Sequence, residues 1–367
     1  MQIAIVGLAG SGKTTVFNTL TRGHAETGGF GGLQLNVGVV KVPDVRLDRL
    51  AEIFKPKKVV QADVTYVDLP APPASSEGRI GTEELPAEHL GRLRDSEALL
   101  HVVRAFEDPS VPHPLGNVDP WRDLENLDLE FILADLAIAE RRLERLSATG
   151  RHGTPAEREA NEREEVILRR LKVALEEGRP IRDEPLEPEE EKAIRGFRFL
   201  SQKPVLVLLN LGESDLPKAA ERVASIADRY PFKHAIVDAL SARVEMELGE
   251  LDPADLAAFM EELGLHESSL DRVIALSYRL LGLISFLTAG PDEVRAWPIP
   301  DSSTAVDAAA AIHTDLARGF IRAEAVAYED LIELGSIAEA RKRGKLRSEG
   351  KTYRVHDGDV LEILFSR

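Results

Sequence analysis

A glycine-rich stretch near the start of the chain has the residue types and the spacing that bind a chain of phosphates. It reads Gly7-Leu8-Ala9-Gly10-Ser11-Gly12-Lys13-Thr14, which matches the P-loop pattern Gly-x-x-x-x-Gly-Lys-Thr. Its glycines let the backbone curl so that successive N–H groups point at phosphate oxygens, and a following helix adds a favourable dipole. We expect Lys13 to reach the β- and γ-phosphates and the Thr14 hydroxyl to bind Mg²⁺.

The residues on both sides of this loop predict the elements that a P-loop requires. Ile3–Val6 is a short, β-branched apolar run, which is typical of a buried parallel strand. Residues 15–20 place apolar side chains at helical spacing, so a helix is expected directly after the loop. The predicted phosphate-binding residues are Gly7, Gly10, Ser11, Gly12, Lys13, Thr14 and Thr15.

An aspartate at the end of another predicted strand is a second candidate for the metal site. The strand is Val64–Asp68, and its terminal acid has the position and type of a residue that holds a metal-bound water. An acid that only caps a strand-to-loop junction would look the same. The prediction is a Mg²⁺ site with Thr14 and Asp68.

The composition excludes several classes of protein. The chain has 367 residues, no cysteine and a formal net charge of −17. A chain without cysteine has no disulfide scaffold, thiol nucleophile or thiolate metal site. No apolar run approaches the ~20 residues of a membrane span, and there is no secretory signal pattern, so we expect a cytoplasmic protein without a membrane partner. The acidic balance argues against non-specific nucleic-acid binding over the whole surface.

The order of strand and helix patterns predicts an α/β fold, with helices on both faces of a mostly parallel sheet. Between residues 124 and 201 the apolar period becomes helical, which predicts an inserted α-helical hairpin. After about residue 280, a strand pair, a helix and closing strands suggest a small β-grasp, ubiquitin-like domain. The predicted segments are 1–123 and 202–280 for a nucleotide-binding domain, 124–201 for the hairpin and 281–367 for the β-grasp domain.

This order of parts resembles the Obg-like ATPases of the YchF subfamily, and the likeness covers nearly the whole chain. The resemblance implies that the tail is a TGS domain. It also implies a cytoplasmic P-loop NTPase that prefers ATP and binds ribosomes. We expect a monomer that uses Mg²⁺ and meets the ribosome through the TGS domain and the hairpin. The stretches that carry the likeness are Asn36–Asp44, Phe54–Lys58, His101–Asp108, Thr288–Gly290, Glu293–Trp297, Ile312–Asp315, Gly319–Glu324 and Gly358–Val360.

The base preference depends on a stretch that differs from that of most GTPases. They carry Asn-Lys-x-Asp, whose Asp pairs with guanine, whereas this chain has Asn210-Leu211-Gly212-Glu213. Family members with this pattern accept adenine, and Ser241-Ala242 matches the next base-side loop. The resemblance therefore assigns Asn210, Leu211, Glu213, Ser241 and Ala242 to nucleotide binding, with ATP preferred over GTP. A GTPase is an alternative.

The residues expected to support hydrolysis depart from the family pattern. Gly32 aligns with a metal-binding Thr of the first mobile loop, and it has no hydroxyl. The family's Asp-x-x-Gly reads Asp68-Leu69-Pro70-Ala71, and Pro72 occupies the position where many GTPases keep a water-orienting Gln. By resemblance, His113 is the catalytic candidate, although a lone loop histidine is more often only solvated.

Two hypotheses follow from these residues. One is a slow ATPase in which His113 places the attacking water, and the other is a non-hydrolysing, nucleotide-dependent module that binds the ribosome or RNA. For the partner, a basic cluster in the tail could meet ribosomal RNA phosphates, or it could be a solvated loop. The cluster consists of Arg341, Lys342, Arg343, Lys345, Arg347, Lys351 and Arg354.

Overall fold

The structure is a computed structural model that describes residues 1–23, 36–69, 87–149, 154–230, 234–252, 255, 260 and 268–366. The chain divides into two compact units. The first comprises Met1–Gly38 and Thr65–Val273, and the second comprises Val39–Val64 and Ile274–Arg367. Each unit therefore uses two separate stretches of sequence.

A mostly parallel sheet forms the centre of the first unit. Its strands are β1 (Gln2–Val6), β2 (Asn36–Lys41), β4 (Asp63–Asp68), β5 (Ala98–Ala105), β6 (Val205–Leu211) and β7 (Ala235–Leu240). Within the described residues these six lie in the order β2-β4-β1-β5-β6-β7, and the pairs from β4 to β7 are parallel. The strand β6 is buried along its whole length, as a central parallel strand must be.

Helices cover this sheet and bury its apolar side chains. They are α1 (Lys13–Thr21), α3 (Ala87–Asp95), α4 (Pro120–Thr149), α7 (Ala219–Ala227) and α8 (Ala242–Leu248). The next helix, α9 (Ser269–Leu280), begins in the first unit and ends in the second. On one face, Leu124, Leu127 and Phe131 of α4 pack into a cluster with strand residues that include Val103 and Val207. The predicted fold class is confirmed by this arrangement.

The inserted helical hairpin consists of α4 and α5 (Pro155–Glu176), which pack on each other. Their shared core includes Ile132, Leu146, Leu168 and Leu171. The helix α4 starts at Pro120, four residues before the predicted insertion, because its first turns belong to the sheet core. The short helix α6 (Pro188–Ile194) and a 3₁₀ turn over Arg195–Phe197 lead back to the sheet.

The second unit has a β-grasp arrangement. Strands β8 (Leu283–Ala289) and β9 (Glu293–Pro300) form an antiparallel hairpin, and the final strand β12 (Asp359–Phe365) pairs in parallel with β8. Strand β10 (Phe320–Ala327) pairs antiparallel with β12 and with β11 (Arg347–Glu349). The helices of this part of the unit are α10 (Ala305–Ile312), α11 (Thr314–Arg318), α12 (Tyr328–Leu334) and α13 (Ile337–Lys342).

Residues 39–64 supply a further strand and a helix to this second unit. Strand β3 (Lys58–Val60) pairs in parallel with β9, and α2 (Val45–Phe54) packs against β9 and α12. Arg46 of α2 is bonded to Asp44 at 2.8 Å and to Asp357 at 2.7 Å. This grouping differs from the predicted segments, which placed 39–64 with the nucleotide-binding domain, because pairing with a distant strand leaves no local sequence signal.

Among the residues that the structure describes, no helix is both long enough and apolar enough to cross a bilayer.

Candidate functional site

The glycine loop joins β1 to α1, and three of its glycines adopt a backbone that other residues avoid. Gly7, Gly10 and Gly12 have φ angles of 145°, 73° and 92°. A Cβ atom on Gly7 would lie 2.3 Å from the Val102 carbonyl oxygen, and one on Gly12 would lie 2.2 Å from the Asn210 side-chain nitrogen. The backbone therefore reaches this curl only with glycine at these positions.

Lys13 begins α1 and folds back over the loop. Its Nζ donates to the carbonyl oxygens of Gly7 at 3.0 Å and Leu8 at 2.8 Å. Burial lowers the pKa of Lys13 to about 8, and the nearby Asp68 charge opposes that shift. A buried ammonium held by neutral carbonyls gains strongly from a phosphate oxygen, so the loop is poised for an anion.

Thr14 and Asp68 meet at the carboxyl end of β4. The Thr14 hydroxyl donates to Asp68 Oδ2 at 2.9 Å, and the Asn36 amide donates to the same oxygen at 3.4 Å. Burial raises the pKa of Asp68, although the bond from Thr14 and the charge of Lys13 counteract it. The two side chains predicted to serve the metal are thus brought together, with Thr15 half-buried beside them.

The donor set here fits a hard divalent cation. Asp68 Oδ1 is buried and finds no hydrogen-bond partner among the described residues, so one carboxylate oxygen remains for a further ligand. Mg²⁺ prefers such oxygen atoms and keeps phosphate and water ligands. Within the described ranges, no group of three or more His, Cys, Asp or Glu side chains could hold a metal by itself. The residues therefore fit a Mg²⁺ that arrives with a phosphate chain.

Asn210 connects the base-side residues to the glycine loop. Its Nδ2 donates to the Ser11 carbonyl at 2.9 Å, and its Oδ1 accepts from the Ala242 backbone N–H at 3.0 Å. Ser241 is buried and precedes α8. The structure therefore brings Ser11, Asn210, Ser241 and Ala242 together.

The other two predicted base-side residues are placed differently. The Leu211 side chain is buried in the apolar cluster under α4, so only its backbone could meet a ligand. Glu213 is exposed in a 3₁₀ segment, Glu213–Lys218. Whether either residue contacts a base stays a prediction.

His113 is buried, and both of its ring nitrogens are engaged. The Leu115 N–H donates to Nδ1 at 3.1 Å, so the proton of a neutral ring lies on Nε2 and is donated to Asp123 Oδ2 at 2.9 Å. Arg122 donates to the other oxygen of Asp123. In this conformation the imidazole has no free nitrogen that could accept a proton from water, so catalysis by His113 would require this pair to open. The catalytic role stays a prediction.

Three residues that contact the site were not predicted from the sequence as functional residues: Asn36, Arg104 and Asp123. Arg104 holds the loop after β5, since its guanidinium donates to the carbonyls of Phe106, Asp108 and Val111. A Cβ on Gly10 would lie 3.1 Å from the Val111 side chain, so this loop borders the glycine loop. Asn36 and Arg104 lie in stretches that carry the family resemblance, and that resemblance could have pointed to them. No sequence signal pointed to Asp123.

Four positions named in the sequence analysis, Gly32, Pro70, Ala71 and Pro72, lie outside the described residues.

Relatives of known name align with this chain over its full length. The chain is 40% identical to the protein named ribosome-binding ATPase YchF of Bacillus subtilis (strain 168), with 100% of this chain and 99% of the relative aligned. It is 39% identical to the protein of the same name from Escherichia coli O157:H7, again over 100% and 99%. The family model "YchF-GTPase_C: Protein of unknown function (DUF933)" matches residues 283–366.

A solved structure of a yeast protein, the Schizosaccharomyces pombe YchF GTPase, shares the fold of this chain. The two chains are 29% identical. The TM-score is 0.85, with 99% of this chain and 97% of that one covered. The names of the relatives differ in the nucleotide they state, ATP in the bacterial proteins and GTP in the yeast protein.

Proposed function

The chain belongs to the YchF family, and on that premise we propose that it is a cytoplasmic purine-nucleotide-binding protein that prefers ATP, hydrolyses it slowly with Mg²⁺, and associates with the ribosome as a monomer. The observation that carries nucleotide binding is the glycine loop with its buried Lys13, next to the Thr14–Asp68 pair. The names of the bacterial relatives support the ribosome as partner.

In this proposal each residue of the site has a separate role. Lys13 exchanges the Gly7 and Leu8 carbonyls for phosphate oxygens, which neutralises charge that builds up on the phosphates during transfer. Thr14 and Asp68 would hold the metal, which when bound supplies charge neutralisation between the phosphates. Asn210 keeps the base-side loop in register with the glycine loop.

The weak step in this proposal is the activation of water. His113 must leave Asp123 before its ring can orient a nucleophile, and that pair is nearly inaccessible to solvent, with 2% of each side chain exposed. A buried, bonded pair of this kind opens at a free-energy cost, so slow turnover is expected. The same observation favours the second candidate, a nucleotide-dependent ribosome-binding module without hydrolysis.

Calorimetric titration with ATP and with GTP, each with and without Mg²⁺, tests nucleotide binding, base choice and metal dependence together. We expect tighter binding of ATP and a dependence on Mg²⁺ that is lost in Asp68→Ala. Lys13→Ala should abolish binding of both nucleotides. Retention of nucleotide by that variant would contradict the assignment of the glycine loop.

Single-turnover hydrolysis by wild type and His113→Ala separates the enzyme from the binding module. If His113 acts on water, the variant should bind ATP normally and cleave it at the background rate. Equal rates in the two proteins at background level would leave the non-hydrolysing module as the function. Equal rates well above background would point to another catalytic group.

A further inference from the structure

A cavity lies at the edge of the first unit's sheet where β5 and β6 begin. Its volume is about 620 Å³. Ser96 and Glu97 line it just before β5, and Gln202 and Lys203 line it just before β6. Residues of α6 and of the following turn, Pro188 to Arg198, form the other side.

The position of this cavity separates it from the nucleotide. The glycine loop follows the carboxyl end of β1, and β1, β5 and β6 run parallel. The cavity therefore opens at the opposite edge of the sheet, on the order of 20 Å away for strands of this length at ~3.3 Å per residue. Ligands of α/β sheets usually bind at the carboxyl edge, so this cavity needs a separate explanation.

Basic side chains dominate the lining, although the whole chain is acidic. Arg198 pairs with Asp95, and Arg94 lies 3.6 Å from the buried Asp135. Lys192 and Arg195 are exposed and form no ion pair within the part of the chain that the structure describes. The charged residues of the lining are Arg94, Lys192, Arg195, Arg198, Lys203, Glu97 and Glu191. The lining thus presents five cations against two carboxylates.

Lys203 gives the cavity a buried cation. Its side chain donates to the carbonyl oxygens of Arg94, at 2.9 Å, and Ser96. Burial lowers the pKa of Lys203 to about 8. The charges of Asp135 and Glu97 oppose that shift, but the hydrogen bonds of the ammonium go to neutral carbonyls, so an approaching anion would stabilise it further.

In the basic cluster of the second unit, by contrast, five of the seven side chains already form ion pairs with carboxylates. Arg341 bonds Glu324 at 2.6 Å, Lys342 and Arg343 pair with Glu339, and Lys345 pairs with Asp330. Arg347 pairs with Asp359 at 3.4 Å. These side chains would have to break existing ion pairs to meet a phosphate, whereas Lys192 and Arg195 would not.

We propose that the cavity between α6 and the starts of β5 and β6 binds the phosphate backbone of RNA, with Lys192 and Arg195 as the contacting cations. This proposal rests on the ribosome association proposed above and locates the contact. A wide cavity open to solvent suits a polymer strand, and guanidinium and ammonium groups are the usual partners of backbone phosphates. The nucleotide site is left free while RNA is bound.

The test is the double variant Lys192→Glu/Arg195→Glu. We expect its affinity for a mixed-sequence single-stranded RNA to fall at least about tenfold, and the slope of log K against log salt to become shallower by about 1.4 for two lost phosphate contacts. Ribosome co-sedimentation should fall in parallel, while ATP binding and the melting temperature stay unchanged. The matched control is Lys342→Glu/Arg343→Glu, which should change RNA affinity less than twofold.

The outcomes distinguish a failure of the RNA site from a failure of the proposed ribosome association. If wild type does not sediment with ribosomes, the ribosome association fails and the RNA site with it. If wild type sediments and the Lys192/Arg195 variant sediments equally at every salt concentration, the cavity proposal is overturned while the association stands. If the variant loses ribosomes but binds naked RNA like wild type, the partner is a ribosomal protein and the RNA assignment is wrong.

Discussion

At the residue scale, Asn210 joins three parts of the nucleotide site through one amide. It holds the Ser11 carbonyl of the glycine loop and the Ala242 N–H that begins α8, from the end of β6. Gly12 must lie against this amide, since an added Cβ would come within 2.2 Å of it. Glycine is thus required at position 12 for two reasons: the Asn210 amide leaves no room for a Cβ atom, and the φ angle is positive.

Gly12→Ala should therefore weaken ATP binding far more than backbone strain alone would. The left-handed conformation costs a non-glycine residue about 1–2 kcal/mol, and the clash must in addition displace Asn210. We expect a loss of roughly 100-fold or more in affinity, which corresponds to about 3 kcal/mol. Isothermal titration with ATP measures it.

Gly116→Ala is the matched control for this prediction. Its φ angle of 91° nearly equals the 92° of Gly12, but no atom would lie within 4 Å of the added Cβ. Its ATP affinity should stay within about threefold of wild type, because only backbone strain is introduced. Equal losses in the two variants would show that strain, and not the contact with Asn210, is decisive.

Lys203 should make stability depend on pH in a defined window. Its pKa is lowered from 10.5 to about 8 in the native protein, so between those values the unfolded chain binds more protons. The free energy of unfolding therefore rises with pH across this window. In Lys203→Met that rise should be smaller, as measured by urea unfolding at pH values of about 7.5 and 9.5, which bracket most of the window. The same rise in both proteins would contradict the assignment.

At the element scale, the helix α4 belongs to two cores and is held at their junction by buried polar groups. Arg182, from the 3₁₀ turn after α5, donates to both oxygens of Asp128 at 2.9 Å and to the Tyr230 hydroxyl at 2.8 Å. Asp135 accepts from the backbone N–H groups of Leu200, at 3.0 Å, and Ser201. These bonds fix where the hairpin leaves the sheet.

Arg182→Met should destabilise the first unit by about 3–5 kcal/mol, because it leaves the Asp128 carboxylate buried without its cation. Urea unfolding followed by the fluorescence of Trp121, whose ring lies 6.5 Å from that of Tyr230, reports this region. A Trp297→Phe background removes the only other tryptophan of the sequence. The exposed control Arg163→Met breaks an i,i+4 pair with Glu159 and should leave the midpoint unchanged. Similar midpoints for both variants would argue against the role of the Arg182 network.

The elements that sequence reasoning located correctly are those with local signals. The strand β1, the glycine loop and α1 follow from adjacent residues, and the hairpin follows from the periodicity of residues such as Leu136, Leu143 and Leu171. The burial of His113 against Asp123 could not be read from sequence, because a loop histidine carries no mark of what covers it. The neutralisation of the Arg341–Arg347 cluster was equally hidden, since Glu324 and Asp359 pair with it through the fold.

At the scale of the whole molecule, the second unit is assembled from two distant stretches of chain. Lys57 reaches Asp292 across 235 positions, and Arg46 reaches Asp357 across 311. The family model matches only 283–366, so the matched tail and the compact unit have different limits. We therefore propose that residues 39–64 are an integral part of the β-grasp unit.

Arg46→Ala should lower the stability of the second unit by roughly 1–3 kcal/mol, since it removes charged hydrogen bonds to Asp44 and Asp357 that are partly shielded from water. Trp297 fluorescence in a Trp121→Phe background follows this unit. Lys57→Ala, which breaks a pair whose side chains are 81% and 83% exposed, is the control and should have no measurable effect. An unchanged unfolding curve in Arg46→Ala would separate residues 39–64 from the unit.

The pairing of β3 with β9 also has a consequence for folding during synthesis. During synthesis at about 5–20 residues per second, the 235 positions between Lys57 and Asp292 take roughly 12–47 seconds to translate. During most of that interval the ribosome is producing residues 65–273 of the first unit, and β3 has no strand to pair with. Newly made chains must therefore keep this short strand unpaired until the ribosome reaches the last quarter of the message, which encodes β9.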